Sequence, residues 1–346
     1  MMKFEFPGLV LAILFVLIGS NSSFGQGVFT FMHDGLERTY FLEIPEGPTE
    51  GMPLVFALHG YSGGAITIYS YSGWSDISTA EGVAICYPQG TLDDIGVPHW
   101  NANLGISSTD DVGFLTELAS HLQEEYGFSA ECTFSCGFSN GGYMSYTLAC
   151  ERPDVFRAVG SVAGCMSASD QAACDPSEVV PVIHIHGTLD PTVNYDQGSL
   201  SGPPWSGGWG VVDIMEFWSD AMGTTQSSET PIDNVVVLDL TTVDFIRNYG
   251  APGGQEFHHY RVNGGLHDWP DAWGNQDIDA TALIWEFFSS VCAAGPTDVD
   301  TELLLSKPVL VRVLDMLGRE VEDLPGQLRL HIYSDGTVRK QVRLPD

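Results

Sequence analysis

The sequence predicts an α/β fold, with a mostly parallel sheet covered by helices on both faces, followed by a small all-β module. Three observations predict it. Short, nearly continuous apolar runs such as "PLVFALHG" and "VPVIHIHG" read as strands buried on both faces. Amphipathic segments lie between several of them, as the crossovers of a parallel sheet require. Composition then changes after Gly295-Pro296, where basic residues become common and strand-like alternation replaces the long apolar runs.

The strands in order are "RTYFLEIP", "PLVFALHG", "GVAICYP", "CTFSCGF", "FRAVGSVAG", "VPVIHIHG" and "FHHYRVNGG". The helical patterns are Val112–Tyr126, Gly142–Cys150, Val211–Met222 and Asp277–Val291. In this architecture active sites gather at the carboxyl ends of the strands. "GSLSGPPWSGGWG" reads as an ordered surface loop or lid within the domain. Past residue 296, "PVLVRVLDMLGREV", "QLRLHIYSDG" and "TVRKQVRLPD" alternate like short strands, with turns at Leu317-Gly318 and Asp335-Gly336.

Residues 1–25 read as a secretory leader. Leu9 to Ile18 is an apolar run too short to span a bilayer, and Ser23 and Gly25 supply the small residues of a cut before Gln26. The expected domains are therefore 26–295 and 296–346. Export makes the cysteines disulfide candidates. There are seven, so at least one is free or pairs between chains. Cys165 and Cys174, on either side of a short polar loop, are the expected local pair.

The chain carries 45 acidic and 13 basic residues, a net charge of −32. Such a surface repels nucleic acid and anionic lipid. From Gln26 to Gly295 the basic residues are Arg38, Arg152, Arg157, Arg247 and Arg261.

The chemistry centres on "SCGFSNGGYM". Ser139 sits in G-x-S-x-G between a strand and a helix, the context of a nucleophile elbow. Such a turn strains the serine, and the adjacent glycines relieve close contacts. A serine needs a base and an acid that orients it. In this arrangement the acid follows the serine and the base follows the acid. Asp190, in the loop after "VPVIHIHG", is the expected acid, with Asp196 and Asp233 as rivals. His267, in "NGGLHDWP" before the last helix, is the expected base among His184, His186, His258, His259, His267 and His331. Asp268 beside it is placed to raise the proton affinity of His267 by attraction. Two oxyanion donors are expected. One is the N–H of Asn140. The other comes from "LHGYSGG", with Tyr61 first and Ser62 next, and His59 holding that loop.

Other residues carry two readings. His184 and His186 point to one face of a strand, as a metal pair or as a packed buried pair; no third ligand has suitable spacing, which favours packing and no metal. Asp110 and Asp111 open a helix, as caps rather than catalysts. Trp100 and Trp269 are the expected substrate-stacking indoles, with Trp205, Trp209 and Trp273 also in loops. Trp218 and Trp285, on helices, are expected in the core.

The motifs "ALHGYSGG", "YPQG", "WNA", "DDVGFLTEL", "CGFSNGGYMSYTLACERPDVFRAV", "IHGTLDP" and "NGGLHDWP" resemble, in this order, the polyhydroxybutyrate depolymerase-like esterases. That family includes feruloyl and acetylxylan esterases. The likeness runs from Arg38 to Val291. It implies an α/β-hydrolase fold, with Ser139 as nucleophile, Asp190 as acid, His267 as base, and neither metal nor organic cofactor. Leu266, Asp268 and the region Asn194–Trp209 depart from the family pattern. The resemblance implies a carboxylic ester as substrate, feruloyl or acetyl on polysaccharide, or alternatively a polyester or its oligomers. A serine peptidase or a non-catalytic glycan-binding surface protein would share the fold. "VLDMLGREV" and "IYSDGTVRKQV" resemble the C-terminal sorting domain of type IX (Por) secretion. That implies engagement of the secretion machinery and release or attachment at the cell surface.

Overall fold

The computed structural model describes residues 25–174, 179–199 and 208–293, and in the tail 310–314, 319, 321, 328–333 and 338–342. The leader 1–24 and Trp205 lie outside these residues, as does most of the expected lid. The chain divides into two compact units, Met1–Gly295 and Pro296–Asp346.

The first unit is built on a ten-stranded sheet. Its strands are β1 (Gly27–His33), β2 (Leu36–Glu43), β3 (Leu54–Leu58), β4 (Ala84–Pro88), β5 (Thr133–Phe138), β6 (Val159–Val162), β7 (Val182–Gly187), β8 (Gln226–Pro231), β9 (Thr242–Tyr249) and β10 (Phe257–Asn263). The helices are α1 (Ala65–Tyr71), α2 (Trp74–Glu81), α3 (Asp111–Tyr126), α4 (Asn140–Glu151), α5 (Ala168–Ala173), α6 (Val211–Met222) and α7 (Ala280–Ala293). Spatial order is β1-β2-β4-β3-β5-β6-β7-β10-β9-β8. Strands β4 through β10 in that order are parallel. Antiparallel pairs close both edges. This is the α/β-hydrolase architecture, and all seven expected strands lie in it.

Alternation along the central strands feeds two cores. Leu54, Phe56 and Leu58 join Phe114 of α3, Met144 of α4 and Trp218 of α6 on one face. Val55 and Ala57 join Ile68 of α1, Trp74 of α2, and Ile284 and Trp285 of α7 on the other. Each such large apolar side chain contributes about 1.5–3 kcal/mol on burial. The expected helix over Asp277–Val291 begins later, at Ala280. Asp279 caps it through the Ala282 amide (3.0 Å), and the Asp277 carboxylate instead accepts from the Val235 and Val236 amides (2.7 and 3.0 Å).

Asp110 caps α3 by accepting from the Gly113 amide at 2.8 Å. Asp111 does something the capping argument misses. It is buried and accepts from the Arg38 guanidinium at 2.7 Å and the Asn101 amide at 2.8 Å. Arg38 also lies 3.9 Å over the Phe114 ring. The pair ties β2 to α3 and to the loop bearing Trp100.

The expected Cys165–Cys174 bond does not form. Cys174 pairs with Cys150 at a Cα separation of 5.0 Å, and Cys132 pairs with Cys292 at 5.2 Å. Cys165 stays in the core beside Met166, while α5 carries Cys174 to the end of α4, where Cys150 sits. Cys86, Cys136 and Cys165 are free and buried.

In the second unit, β11 (Leu310–Leu314), β12 (Leu328–Tyr333) and β13 (Val338–Val342) form an antiparallel sheet in the order β11-β12-β13. The expected turns at Leu317-Gly318 and Asp335-Gly336 fall outside the described residues.

Arg38→Met strands a buried carboxylate and is expected to cost about 3–5 kcal/mol, measured as a lower urea midpoint. For the disulfides, chain separations of 160 and 24 residues rank the losses. The Cys132→Ser/Cys292→Ser double variant should lose about 5 kcal/mol and the Cys150→Ser/Cys174→Ser variant about 3, in thermal or urea unfolding.

Candidate active site

Strand β5 delivers Ser139 to the turn before α4. The serine adopts φ 53°, ψ −116°, a conformation that L-residues avoid. Its amide donates to Val162 O at 2.8 Å, which locks the turn to β6. Two glycines make the turn possible. A Cβ on Gly137 would strike the Gly141 backbone, and one on Gly141 would strike the Leu58 and His59 carbonyls. The start of α4 is thus pressed directly against the loop after β3.

Asp190 and His267 arrive on the loops after β7 and β10. Neighbouring backbone bonds lash these loops together, Leu189 N to Gly265 O (2.9 Å) and Gly264 N to Thr188 Oγ1 (2.9 Å). His267 Nδ1 donates to Asp190 Oδ2 at 2.7 Å, which leaves Nε2 as the basic nitrogen. Asp190 Oδ1 accepts from the Thr192 and Val193 amides (2.7 and 2.8 Å). Burial opposes ionisation of this carboxyl. Hydrogen bonds from His186 and His267 outweigh it and hold the group below the usual carboxylate range. The rivals Asp196 and Asp233 make no contact with His267 among the described interactions.

Ser139, Asn140 and His267 line one cavity of about 590 Å³ with His59–Gly63. Asn140 opens α4, where its N–H has no intrahelical acceptor. The two expected loop donors, Tyr61 and Ser62, both line the cavity, and the Ser62 amide is bonded to Pro98 O at 2.9 Å. His59 holds the loop as expected. Its Nδ1–H donates to Gly60 O (2.8 Å) and its Nε2 accepts from the Gly90 amide (2.9 Å). Burial lowers its pKa to about 4, so the imidazole is neutral.

Both expected stacking tryptophans prove buried. Trp100 has no exposed surface and cannot stack on a substrate. It positions the site instead. Its indole N–H donates to His59 O (2.9 Å), its amide donates to Asn140 Oδ1 (2.7 Å), and its carbonyl accepts from Asn140 Nδ2 (3.0 Å). One residue thereby joins the loop after β3 to the first turn of α4. Trp269 is buried under the base loop, with its indole N–H on Thr281 Oγ1 (3.1 Å). Trp273 takes the wall position, 37% exposed and edge-on to Tyr71 and Phe138. Tyr71 and Tyr143 also line the cavity; no motif marks Tyr71, and Tyr143 falls inside the serine motif without being read as a wall residue. Trp209 packs on Phe217, and Trp218 and Trp285 lie in the core.

Asp268 is buried with its carboxyl against Gly274. Burial pushes its pKa up to about 6, with the charge of Asp190 adding to the effect. His184 and His186 form a stacked, buried pair, with Cys165 close by.

Residues 111–217 match the phospholipase/carboxylesterase family model. A putative esterase, NocK of Nocardia uniformis subsp. tsuyamanensis, is 33% identical over 247 residues, 68% of this chain and 72% of its own. A probable feruloyl esterase C of Aspergillus flavus is 30% identical over 201 residues, 55% of this chain and 70% of its own. Among solved structures, an acetyl xylan esterase from Aspergillus awamori superposes with a TM-score of 0.53 over 76% of this chain and 99% of its own, at 15% identity, a likeness of fold. A serine on a strained strand-to-helix turn, a carboxylate-bonded histidine in the same cleft and these relatives lead to one conclusion: the chain belongs to the serine carboxylic-ester hydrolases of the α/β-hydrolase family.

Proposed function

We propose that the protein is an exported esterase that cleaves feruloyl or acetyl esters of polysaccharide through an acyl-enzyme on Ser139. The observation that carries this reading is the 2.7 Å bond from His267 Nδ1 to Asp190 in the cavity that also exposes Ser139. Ser139 Oγ attacks the ester carbonyl carbon while its proton passes to His267 Nε2. The carbonyl electrons move onto oxygen, where the Asn140 and Tyr61 N–H groups receive the negative charge. Collapse breaks the ester C–O bond, and His267 returns the proton to the departing alcohol. Water, deprotonated by His267, then releases the acid and restores Ser139.

The cavity supports an aromatic acyl group. Its walls are Tyr71, Phe138, Tyr143 and Trp273, and about 590 Å³ lies within the range of roughly 300–1,000 Å³ for small-molecule sites. Trp100 and Trp269 serve this reading as buried supports. The two disulfides suit an oxidising compartment, in keeping with a cleaved leader at 1–25 and a sorting module at 296–346 that delivers the enzyme to the medium or the cell surface.

A polyester, or its hydroxybutyrate oligomers, is the second reading, and a separate observation favours it. Val235, Val237, Leu238 and Leu240 are exposed, Leu238 by 93%. Their loop is fastened to the segment just after Trp273, by Gln276 N to Asp239 Oδ2 (2.9 Å) and Asn275 Nδ2 to Thr241 Oγ1 (2.6 Å). An aliphatic shelf beside the cleft suits a water-insoluble polymer.

Ser139→Ala is expected to lower p-nitrophenyl acetate turnover by roughly 10⁴-fold; equal rates in both proteins would sink the mechanism. On a panel of methyl ferulate, acetylated xylan and hydroxybutyrate oligomers, kcat/KM should be highest for methyl ferulate. Trp273→Ala should lower that value about 5- to 10-fold and leave the acetyl ester nearly unchanged.

A further inference from the structure

Behind the carboxylate of Asp190 lies a chain of buried groups that the ester chemistry does not directly use. Tyr146 of α4 meets His184 Nδ1 at 2.7 Å. His184 Nε2 meets His186 Nδ1 at 3.1 Å, with the two rings 7° from parallel. His186 Nε2 lies 2.9 Å from Val193 O and 3.4 Å from Asp190 Oδ2. A carbonyl only accepts, so His186 must carry its proton on Nε2. Its Nδ1 is then an acceptor, which makes His184 Nε2 a donor and His184 Nδ1 the acceptor for the Tyr146 hydroxyl. Every donor points one way, from α4 towards the acid loop. His259 holds the chain from β10, donating from Nδ1 to His184 O (3.0 Å) while its Nε2 accepts from Tyr195 (2.8 Å).

We propose that His186 is a positioning residue for the reaction, a second imidazole whose Nε2–H, aimed by the Tyr146–His184 chain, steadies the Asp190 carboxylate at the same Oδ2 that the base engages. The proposal rests on the reading of Ser139, His267 and Asp190 as the catalytic groups. Asp190 then receives two backbone amides and the His267 N–H, while the His186 Nε2–H, bonded to Val193 O at 2.9 Å, lies 3.4 Å from its Oδ2. With three donors and that nearby N–H it stays ionised although its side chain is wholly buried. The attraction it exerts on the His267 proton is correspondingly moderated.

The groups facing His186 are few. They are His184 on its own strand, His259 on β10, Asp190 and His267 on the site loops, Tyr195, the Cys165 thiol and, more distantly, Asp268. Burial pushes the Cys165 thiol well up and the His184 imidazole well down, so neither adds a charge. Arg261 of β10 pairs with His186 in register, yet its guanidinium is bonded to Glu229 and Asp244. Cys165, His184 and His186 bring ligand atoms within 4.8 Å of one another. Both nitrogens of both imidazoles already have partners, which makes this a proton-ordered network and not a metal cage.

The test measures kcat and KM against pH for the full chain, its His186→Leu and His186→Gln variants, and Tyr146→Phe. Losing the N–H leaves the Asp190 carboxylate a stronger partner for the protonated base. His186→Leu is therefore expected to move the acid limb of kcat/KM about 0.5 pH unit upward and to lower kcat about tenfold, with KM unchanged. Glutamine can accept from His184 and donate to Asp190, so His186→Gln should recover kcat to within about threefold of wild type. Tyr146→Phe should shift the limb in the same direction by less. In the unaltered protein, ¹⁵N resonances of His186 should report the proton on Nε2 and an acceptor at Nδ1. That measurement stands even if the leucine variant does not fold. A folded His186→Leu enzyme with wild-type kcat and limb, a His186 ring protonated on Nδ1, or stoichiometric zinc in the purified protein would overturn the proposal. Ser139→Ala and Asp190→Asn are assayed alongside. If they retain turnover, the catalytic reading itself fails; if they abolish it while His186→Leu changes nothing, only the role of His186 falls.

Discussion

Everything at the active face depends on keeping one serine in a backbone conformation it would not choose. Holding Ser139 at positive φ costs about 1–3 kcal/mol, and the turn would relax if β5 and α4 could separate. They cannot, because the surrounding contacts over-determine it. The Ser139 amide is bonded to β6. The Asn140 side chain exchanges two hydrogen bonds with the Trp100 backbone. The next residue, Asn101, donates to Asp111, whose other oxygen takes Arg38. Stretches far apart in the chain, "FSN", "WNA" and "DDVGF", are therefore neighbours with one shared task. The strain at the serine is distributed over a buried ion pair and an indole some forty residues upstream in sequence.

Two carboxyl groups near the base show how environment sets ionisation. Asp190 and Asp268 are both buried, and burial alone would raise both. Asp190 meets amides and imidazoles, and these donors reverse the effect. Asp268 meets few donors and feels the negative charge of Asp190, so its pKa stays high. Sequence adjacency to His267 suggests that Asp268 tunes the base, whereas the residue bonded to the base lies 77 positions away. Proximity along the chain is a poor guide to electrostatic partnership when loops from separate strands converge.

The parallel core is legible in the sequence because strands buried on both faces must be apolar throughout, as in "PLVFALHG" and "VPVIHIHG". The edges are less so. Strands β1, β8 and β9 pair antiparallel and expose much of their surface, so "GVFTFMH", "QSSETP" and "TVDFIRNY" carry weak apolar periodicity. At the site, the G-x-S-x-G turn and the loops after β7 and β10 carry Ser139, Asp190 and His267 because fold topology fixes which strand ends converge. Indole exposure is not encoded that way. Trp100 and Trp273 both lie in loops, and only packing makes the first a buried strut and the second a cavity wall. Cysteine pairing fails for the same reason, since α5 redirects Cys174 towards α4 in a way no local spacing reveals.

The Cys132–Cys292 bond has a mechanical consequence. It joins the last turn of α7 to the turn that begins β5, only a few residues before the boundary with the second unit. Tension applied through residues 296–346 would reach Cys292 first and pass across the sulfurs into the foot of the central strand. Helix α7, held at its far end, would not be peeled from the sheet turn by turn. Load would instead pass into β5, which is hydrogen-bonded to β3 on one side and β6 on the other. The route from the tail into the first unit is thus covalent at the sheet, and does not run through the hydrogen bonds of α7 alone.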